Sequence, residues 1–264
     1  MFEVIARRVF TLPYIFLDSS FIVLLMLLLI WKRRFLTLSV GIAMGLVYFL
    51  VDYGIFHLLL GTRHIEGAGM FETLLWMSLS YGFTNFTWIW LWMRKDEYLF
   101  EWSLLITLWW FSCPLIASAF SQGEEQILIE RTTGPYHYAM AIILFTGYLL
   151  LVIWNMKKEN KEERIDIPWL LAIGILVQFS WEAGLLVGGI RSQGFSLMES
   201  IRTLVTNSLL ETNLGMPYAY FIFIAVTRNV NEDFRKRKNA LSFIGRVKEN
   251  NREKGTGISS DRDY

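Results

Sequence analysis

Residues 178–220, QFSWEAGLLVGGIRSQGFSLMESIRTLVTNSLLETNLGMPYAY, place two carboxylates, Glu182 and Glu211, inside two otherwise apolar segments. An ionisable side chain at the depth of the hydrocarbon core costs roughly 2.5 to 3.5 kcal/mol on insertion scales, and such side chains usually face a bundle interior or a cavity. Both carboxylates are therefore candidates for a functional site. The rest of the chain can be interpreted as the scaffold that positions them.

An earlier stretch, residues 45–86, GLVYFLVDYGIFHLLLGTRHIEGAGMFETLLWMSLSYGFTNF, resembles the first. We interpret the two as an internal repeat, offset by about 130 residues and aligned with small gaps. The second copy has an acid that the first lacks, because Phe83 stands opposite Glu211. The aligned pairs are Asp52 with Glu182, Gly54 with Gly184, Arg63 with Arg191, Glu72 with Glu199, Ser80 with Ser208, and Thr84-Asn85 with Thr212-Asn213.

The composition indicates a membrane protein. Of the 264 residues, 54% are hydrophobic, and the mean hydropathy of +0.38 is too high for one soluble core. The apolar runs have the length that spans a bilayer. We expect a multi-pass protein of the cell membrane whose partners are the lipid bilayer and a lipophilic small molecule. A net charge of +1 leaves no basic face for nucleic acid. The oligomeric state is left open.

The predicted fold is all-α, with seven transmembrane helices over residues 14–31, 38–60, 72–93, 102–120, 137–154, 169–190 and 204–227. Basic residues follow the odd-numbered spans, which places the N-terminus outside and the C-terminus in the cytoplasm. Only Arg7 and Arg8 contradict this orientation. The basic residues are Lys32-Arg33-Arg34, Arg94-Lys95, Lys157-Lys158 with Lys161 and Arg164, and 235–238.

The repeat predicts a 3+1+3 arrangement of parallel units. Residues 1–13 form an interfacial segment, 14–93 the first repeat, 102–120 a linker helix and 137–227 the second repeat. Residues 228–264 form a charged cytoplasmic tail, in which 229–245 could be a surface helix. Residues 246–264 are too poor in apolar side chains to order themselves.

Three acids are the candidate catalytic residues: Asp52, Glu182 and Glu211. Each lies about eight residues, roughly 12 Å, from the outer end of its span, so the three could share one chamber. Desolvation disfavours the charged form of a buried acid, so Glu182 or Glu211 could donate a proton at neutral pH, with Asp52 as partner or base. The alternative is that these acids form hydrogen bonds that hold helices together.

The candidate substrate-binding residues have alternative interpretations as well. The asparagines could bond across helices. The two arginines could form local ion pairs with Glu72 and Glu199, or capture an anionic head group. The histidines lack metal-ligand spacing, and neither a metal nor a cofactor is expected. The candidates are Asn85, Asn213, Gln178, Tyr48, Tyr53, Trp88, Trp181, Arg63 and Arg191.

Short motifs resemble the membrane-bound terpene cyclases of fungal meroterpenoid and indole-diterpene pathways. The shared features are W-E in SWEAG (180–184), an acid in LLETNLGMPYAY (209–220), seven spans and a similar length. The resemblance implies acids in the second and last spans, here Asp52 and Glu211, that protonate an epoxide or alkene. This chain departs from that family because W-E lies in span six, and span two reads VDYG.

A second resemblance is architectural. Parallel three-helix repeats about a linker helix, and asparagines in spans three and seven, resemble SWEET-type sugar transporters and PnuC-type vitamin transporters. FTNFTWIW (83–90) is similar to the asparagine-tryptophan motifs of the latter. The early spans lack the hinge prolines of those families, and three carboxylates exceed what uncoupled transport requires.

The leading functional hypothesis is an intramembrane enzyme that cyclises or isomerises a lipophilic, isoprenoid-type substrate by acid catalysis. The alternative is a small-solute transporter for a sugar, nucleoside or vitamin, which the same acids could couple to protons.

Overall fold

The chain is mostly helical in the computed structural model, which describes residues 6–131, 136–160, 164–191 and 196–256, with backbone only at Ala6, His137 and 229–256. The helical segments within these ranges are α1 (Leu12–Trp31), α2 (Phe35–Leu59), α3 (70–93), α4 (Leu99–Phe120), α5 (His137–Met156), α6 (Ile167–Val187) and α7 (Leu197–Thr256). Three strands accompany them: β1 (Ala6–Thr11), β2 (Arg63–Glu66) and β3 (Gln126–Arg131).

Six helices in the described part of the chain are long and apolar enough to cross a membrane: α1, α2, α4, α5, α6 and the Leu197–Arg228 part of α7. Large apolar side chains such as Phe16, Leu27 and Phe145 are exposed on them. Exposed apolar surface on this scale marks contact with lipid or a partner rather than with water. The prediction of a helical protein with several membrane-spanning helices is thus confirmed at this level.

Helix α3, the third predicted span, is not among the six, which are distinguished by length and apolar composition; it is an interior helix. It packs along α2 and α6, and nearly every residue from Thr73 to Leu91 is buried. A helix that meets other helices on all sides does not need an apolar surface. It therefore carries polar side chains that a lipid-facing helix would exclude: Thr73, Ser78, Ser80, Thr84, Asn85 and Thr87.

Two helices change from α- to π-helical geometry near the polar part of the molecule. The change occurs at Leu50–Leu59 in α2 and at Leu79–Phe83 in α3. The π-helical turns carry Asp52 and Tyr81. Such turns are rare in proteins, and those that occur are often at functional sites.

A three-stranded antiparallel sheet covers one end of the helices. Its order is β1-β3-β2, and Arg131 of β3 lies opposite both Ala6 of β1 and Arg63 of β2. The strands precede α1, join α2 to α3 and join α4 to α5, so they all lie at the same end of the helix bundle. This sheet was not predicted, because residues 1–13 were interpreted as an interfacial segment and the other two strands as loops.

Alternating burial shows why these short segments are strands. Arg8 and Phe10 are buried on one face of β1, whereas Arg7 is exposed on the other. On β3, Ile127 and Ile129 are buried, and their neighbours are more exposed. A period of two is typical of a sheet with one packed face. The buried positions include arginines, which conceals the pattern in the sequence.

The edge of the sheet is tied to the connection between α6 and α7. The backbone N–H of Val9 donates to the carbonyl oxygen of Ile190 at 3.0 Å. Phe10 packs against the rings of Tyr14 and Trp76, with centroids 5.1 Å away in each case. These contacts fix β1 on the helices and protect a strand edge that could otherwise pair with another chain.

The chain divides into two compact units, Met1–Tyr218 and Ala219–Tyr264. In the second unit the backbone remains helical to Thr256. The helix in the tail therefore extends beyond the predicted surface helix at 229–245 and into the segment that we expected to lack order. The final residues of that segment, 257–264, lie outside the described residues.

Gly184 tests the packing of α6 on α4. A Cβ atom at Gly184 would lie 2.7 Å from the carbonyl oxygen of Trp110, whereas one at Gly54 would have nothing within 4 Å. We expect Gly184→Ala to destabilise the protein by about 1 to 3 kcal/mol through overpacking. Gly54→Ala should leave the thermal midpoint of the purified protein unchanged or raise it, because glycine is unfavourable in helices. Equal shifts for the two variants would contradict this packing.

Candidate functional site

The candidate site lies where the sheet meets the helices, and four arginines surround it. Arg63 and Arg131 face each other across the β2–β3 ladder, and Arg8 lies two residues beyond the residue opposite Arg131 on β1. Residues two apart on a strand share a face, so the sheet directs three guanidinium groups to one side. The fourth, Arg191, follows α6 and is also buried. We call these four residues the arginine cluster.

Asp52 is held by two members of the arginine cluster. Its Oδ1 lies 2.6 Å from Nε of Arg63 and 3.3 Å from Nη2 of Arg131. The guanidinium of Arg63 also lies over the ring of Phe56, 4.3 Å from its centroid. With two cations in contact and little exposure, this side chain is a carboxylate rather than a neutral acid.

Glu182 is held by the other two arginines. Nη1 of Arg191 lies 2.7 and 2.6 Å from its two carboxylate oxygens, and Nη2 of Arg8 lies 3.5 Å from Oε1. The amides of Asn207 and Gln178 donate to the same oxygen, each at 3.3 Å. Within the described residues, all four hydrogen bonds to Glu182 end on Oε1, and Oε2 has only the close approach of Arg191. Its contact with two arginines argues against a role as proton donor.

Glu211 lies in a different environment. It is half-buried, and its Oε2 accepts a hydrogen bond from Nε2 of Gln178 at 2.9 Å. Among the residues that the structure describes, no cationic side chain lies within ion-pair distance of Glu211. Of the three candidate acids, it is the one that forms no ion pair with an arginine in the described residues.

Gln178 connects the two glutamates. Its Nε2 donates to both Glu182 and Glu211, and its Oε1 accepts from the hydroxyls of Tyr81 and Thr212. Both polar atoms of this buried amide are thus satisfied, which fixes its orientation. The carboxylate pair is therefore linked by one rigid side chain from α6.

The arginine cluster and the acids form one electrostatic unit. Burial acts to lower the pKa of Arg131, but the charges of Asp52 and Glu211 outweigh burial and raise this pKa above its ordinary value. Arg131 contacts Asp52 at 3.3 Å, and its charge also interacts with that of Glu211. The structure thus brings Asp52, Glu182 and Glu211 together, as the sequence predicts, although in the company of arginines rather than in an apolar chamber.

The arginines also influence one another. Burial, together with the charges of Arg191 and Arg131, lowers the pKa of Arg8 to about 10. Burial and the charge of Arg131 lower the pKa of Arg63 to about 10. Both groups remain protonated at neutral pH. The cost of crowding four cations is offset by the carboxylates between them.

The predicted local ion pairs of Arg63 with Glu72 and of Arg191 with Glu199 are wrong. Glu72 and Glu199 are exposed at the starts of α3 and α7, and Glu199 accepts hydrogen bonds from Ser196. The arginines instead extend inward to carboxylates. An ion pair is stronger there than at the surface, because the local dielectric is lower.

The two candidate asparagines have different environments. Asn213 bonds across helices, because its Oδ1 accepts from the hydroxyl of Tyr148 on α5 at 3.2 Å. Its Nδ2 donates to the carbonyl of Ser208 within α7 at 3.2 Å. Asn85 is buried, and neither of its side-chain polar atoms has a partner in the described part of the chain. An unsatisfied buried amide is unusual and can be completed by a ligand or water.

The candidate aromatic residues form a row that leads away from Gln178. Successive ring centroids are 5.1, 5.7, 5.4 and 5.5 Å apart. The indole N–H of Trp88 donates to Ser103, whereas Tyr53 packs elsewhere, against Phe49 and Phe71. We call this set the aromatic row: Tyr48, Tyr81, Trp181, Trp110 and Trp88.

Sequence reasoning missed Arg8, Arg131, Tyr81 and Asp18. Arg8 carried a signal, because it contradicts the charge rule that orients the other loops. Asp18 carried one as well, as an acid in the first span; it is buried and accepts from the indole N–H of Trp76 at 3.1 Å. Arg131 and Tyr81 carried none, because only the folded sheet and helices bring them to the site.

Comparison of the chain with models of protein families, with curated proteins and with solved structures yields no match. Within the described ranges, no group of three or more histidine, cysteine or acidic side chains could hold a metal ion.

The two glutamates should differ in their effect on stability. Glu182→Gln leaves Arg8 and Arg191 buried without a carboxylate, so we expect a loss of about 3 to 5 kcal/mol of unfolding free energy. Glu211→Gln breaks no ion pair and should cost less than about 1 kcal/mol, because glutamine can still accept from Gln178. Denaturant or thermal unfolding in detergent measures both, with Glu72→Gln as an exposed control that should resemble the wild type.

Proposed function

We propose that the protein is an integral membrane enzyme that cyclises or isomerises a lipophilic, isoprenoid-type substrate by acid catalysis, with Glu211 as the proton donor. One observation carries this proposal: among the described residues, Glu211 has no arginine within ion-pair distance, whereas Asp52 and Glu182 each have two. Because Glu211 is half-buried, a substrate can approach it.

The proposed step begins with a neutral Glu211. Its O–H bond breaks as the proton adds to an alkene carbon or an epoxide oxygen of the substrate, which becomes a carbocation. A new carbon–carbon or carbon–oxygen bond forms within the substrate. Loss of a proton from the product cation restores the neutral acid, so the net reaction is an isomerisation. General acid catalysis of this kind contributes about 10²- to 10⁴-fold in rate.

The surroundings of Glu211 suit this chemistry. Gln178 holds the carboxyl group in place, and Tyr81 and Thr212 hold Gln178. The same Tyr81 belongs to the aromatic row, where it packs against Trp181. Faces of tyrosine and tryptophan rings stabilise positive charge, so the row can accompany a cation along an isoprenoid chain. Asp52 and Glu182 have the separate role of fixing the arginine cluster.

The proposal includes seven transmembrane spans, with α3 as the interior one, in a 3+1+3 parallel repeat. The two ion pairs support the repeat, because Asp52–Arg63 and Glu182–Arg191 occupy aligned positions. We place the N-terminus and the sheet outside and the C-terminus in the cytoplasm. Arg8 no longer opposes this orientation, because it is buried inside the fold beside Glu182 rather than exposed in a loop.

Cyclisation assays test the proposal directly. Membranes containing the protein, incubated with linear prenyl epoxides and polyprenols, should yield a cyclised or isomerised product of unchanged mass. Glu211→Gln should reduce the rate by about 10²-fold or more through loss of the transferable proton, whereas Glu72→Gln should not. Mass spectrometry after chromatography measures the product. Uptake of a sugar or nucleoside into liposomes, with no chemical change in any prenyl substrate, would overturn the proposal in favour of transport.

A further inference from the structure

The arginine cluster carries more positive charge than the acids around it balance. Four guanidinium groups face three carboxyl groups, which leaves an excess of one positive charge, or of two when Glu211 is neutral. An uncompensated buried charge is strongly unfavourable. The interior at the sheet therefore favours an additional anion. The groups counted are Arg8, Arg63, Arg131 and Arg191 against Asp52, Glu182 and Glu211.

The four arginines of the cluster also carry unused hydrogen-bond donors. Each arginine of the cluster has one buried nitrogen without an acceptor in the described residues: Nε of Arg8, Nη2 of Arg63, Nε of Arg131 and Nε of Arg191. The side chains of Arg8 and Arg63 are 3% and 0% exposed. Buried donors are nearly always satisfied in native proteins. Four open donors on four neighbouring cations thus indicate an absent acceptor with several oxygens.

We propose that the arginine cluster binds the phosphate group of an amphiphilic, prenyl-type ligand. A phosphate ester carries one or two negative charges, which matches the excess. Its oxygens diverge tetrahedrally and can accept from guanidinium groups that arrive from the three strands and from the α6–α7 connection. Arginine is the side chain best suited to such contacts, because its planar fork matches phosphate oxygens.

The position of the cluster defines how such a ligand would lie. Arg131 is the most exposed member, with 20% of its side chain accessible, and Glu211, which Gln178 links to the cluster's partner Glu182, is half-buried. A phosphate between these arginines places the attached chain toward Glu211 and the aromatic row. Binding of the phosphate requires no proton transfer and is independent of the proposed catalysis, whereas the prenyl chain of the ligand rests on the proposed function. If the cluster binds the phosphate and Glu211 is the acid, binding of the phosphate positions the substrate for catalysis.

Binding of farnesyl monophosphate tests the inference. We expect the full chain, in a maltoside detergent that contains no phosphate, to bind farnesyl monophosphate more tightly than farnesol by isothermal titration calorimetry. Arg131→Gln should weaken binding of the phosphate about tenfold or more, because charged hydrogen bonds are lost. Asp52 keeps Arg63 as a partner in this variant. The matched control is Arg7→Gln, which removes an exposed charge paired with Glu130 on the outer face of the same sheet.

The outcomes separate the possible ligands. Inorganic phosphate that displaces farnesyl monophosphate at similar concentrations would assign the site to the free anion, whereas much weaker displacement would assign it to the lipid phosphate. Farnesol binding as tightly as its phosphate, or equal weakening by Arg7→Gln and Arg131→Gln, would overturn the inference. If Arg131→Gln does not fold, Arg131→Lys and the wild-type comparison decide. Phosphate binding without turnover would refute only the proposed catalysis.

Discussion

Buried pairing between arginines of the sheet and acids of the helices is the constraint on which the structure depends. Asp52 on α2 and Glu182 on α6 could not remain charged in an apolar interior alone. The sheet supplies Arg8, Arg63 and Arg131 from one face, and the connection after α6 supplies Arg191. Burying either an arginine or an acid without its partner would be strongly unfavourable. The pairing therefore fixes the position of the sheet relative to the helix bundle.

This constraint also explains the division of labour among the acids. A carboxylate that pairs with two guanidinium groups cannot take up a proton without removing the only negative charge between them. In the described residues, Glu211 forms a hydrogen bond only with the amide of Gln178 and has no arginine partner. Three acids that look equivalent in the sequence therefore have two different roles in the fold. The distinction depends on neighbours from distant parts of the chain.

The extent to which the sequence predicts this arrangement follows from the range of each interaction. Helices are predictable because their apolar runs are local, and the acids inside them are conspicuous for the same reason. The link from Gln178 to Glu182 is one helical turn and could be predicted. Arg8 and Glu182 are 174 residues apart, and β3 pairs with strands on both sides of it, so neither contact leaves a local signal. The buried arginines disguised the strands, since alternation is recognised by apolar side chains.

The strand order has a consequence for biosynthesis. β3 lies between β1 and β2, yet it is the last of the three to be translated. The first 66 residues can contribute two strands that do not pair with each other, and their backbone groups stay open until residue 131 has emerged. Asp52 meets Arg63 early, only 11 residues away, whereas Glu182 meets Arg8 after α6 has been made. The arginine cluster and its acids are thus brought together late, when most of the helices have already been made.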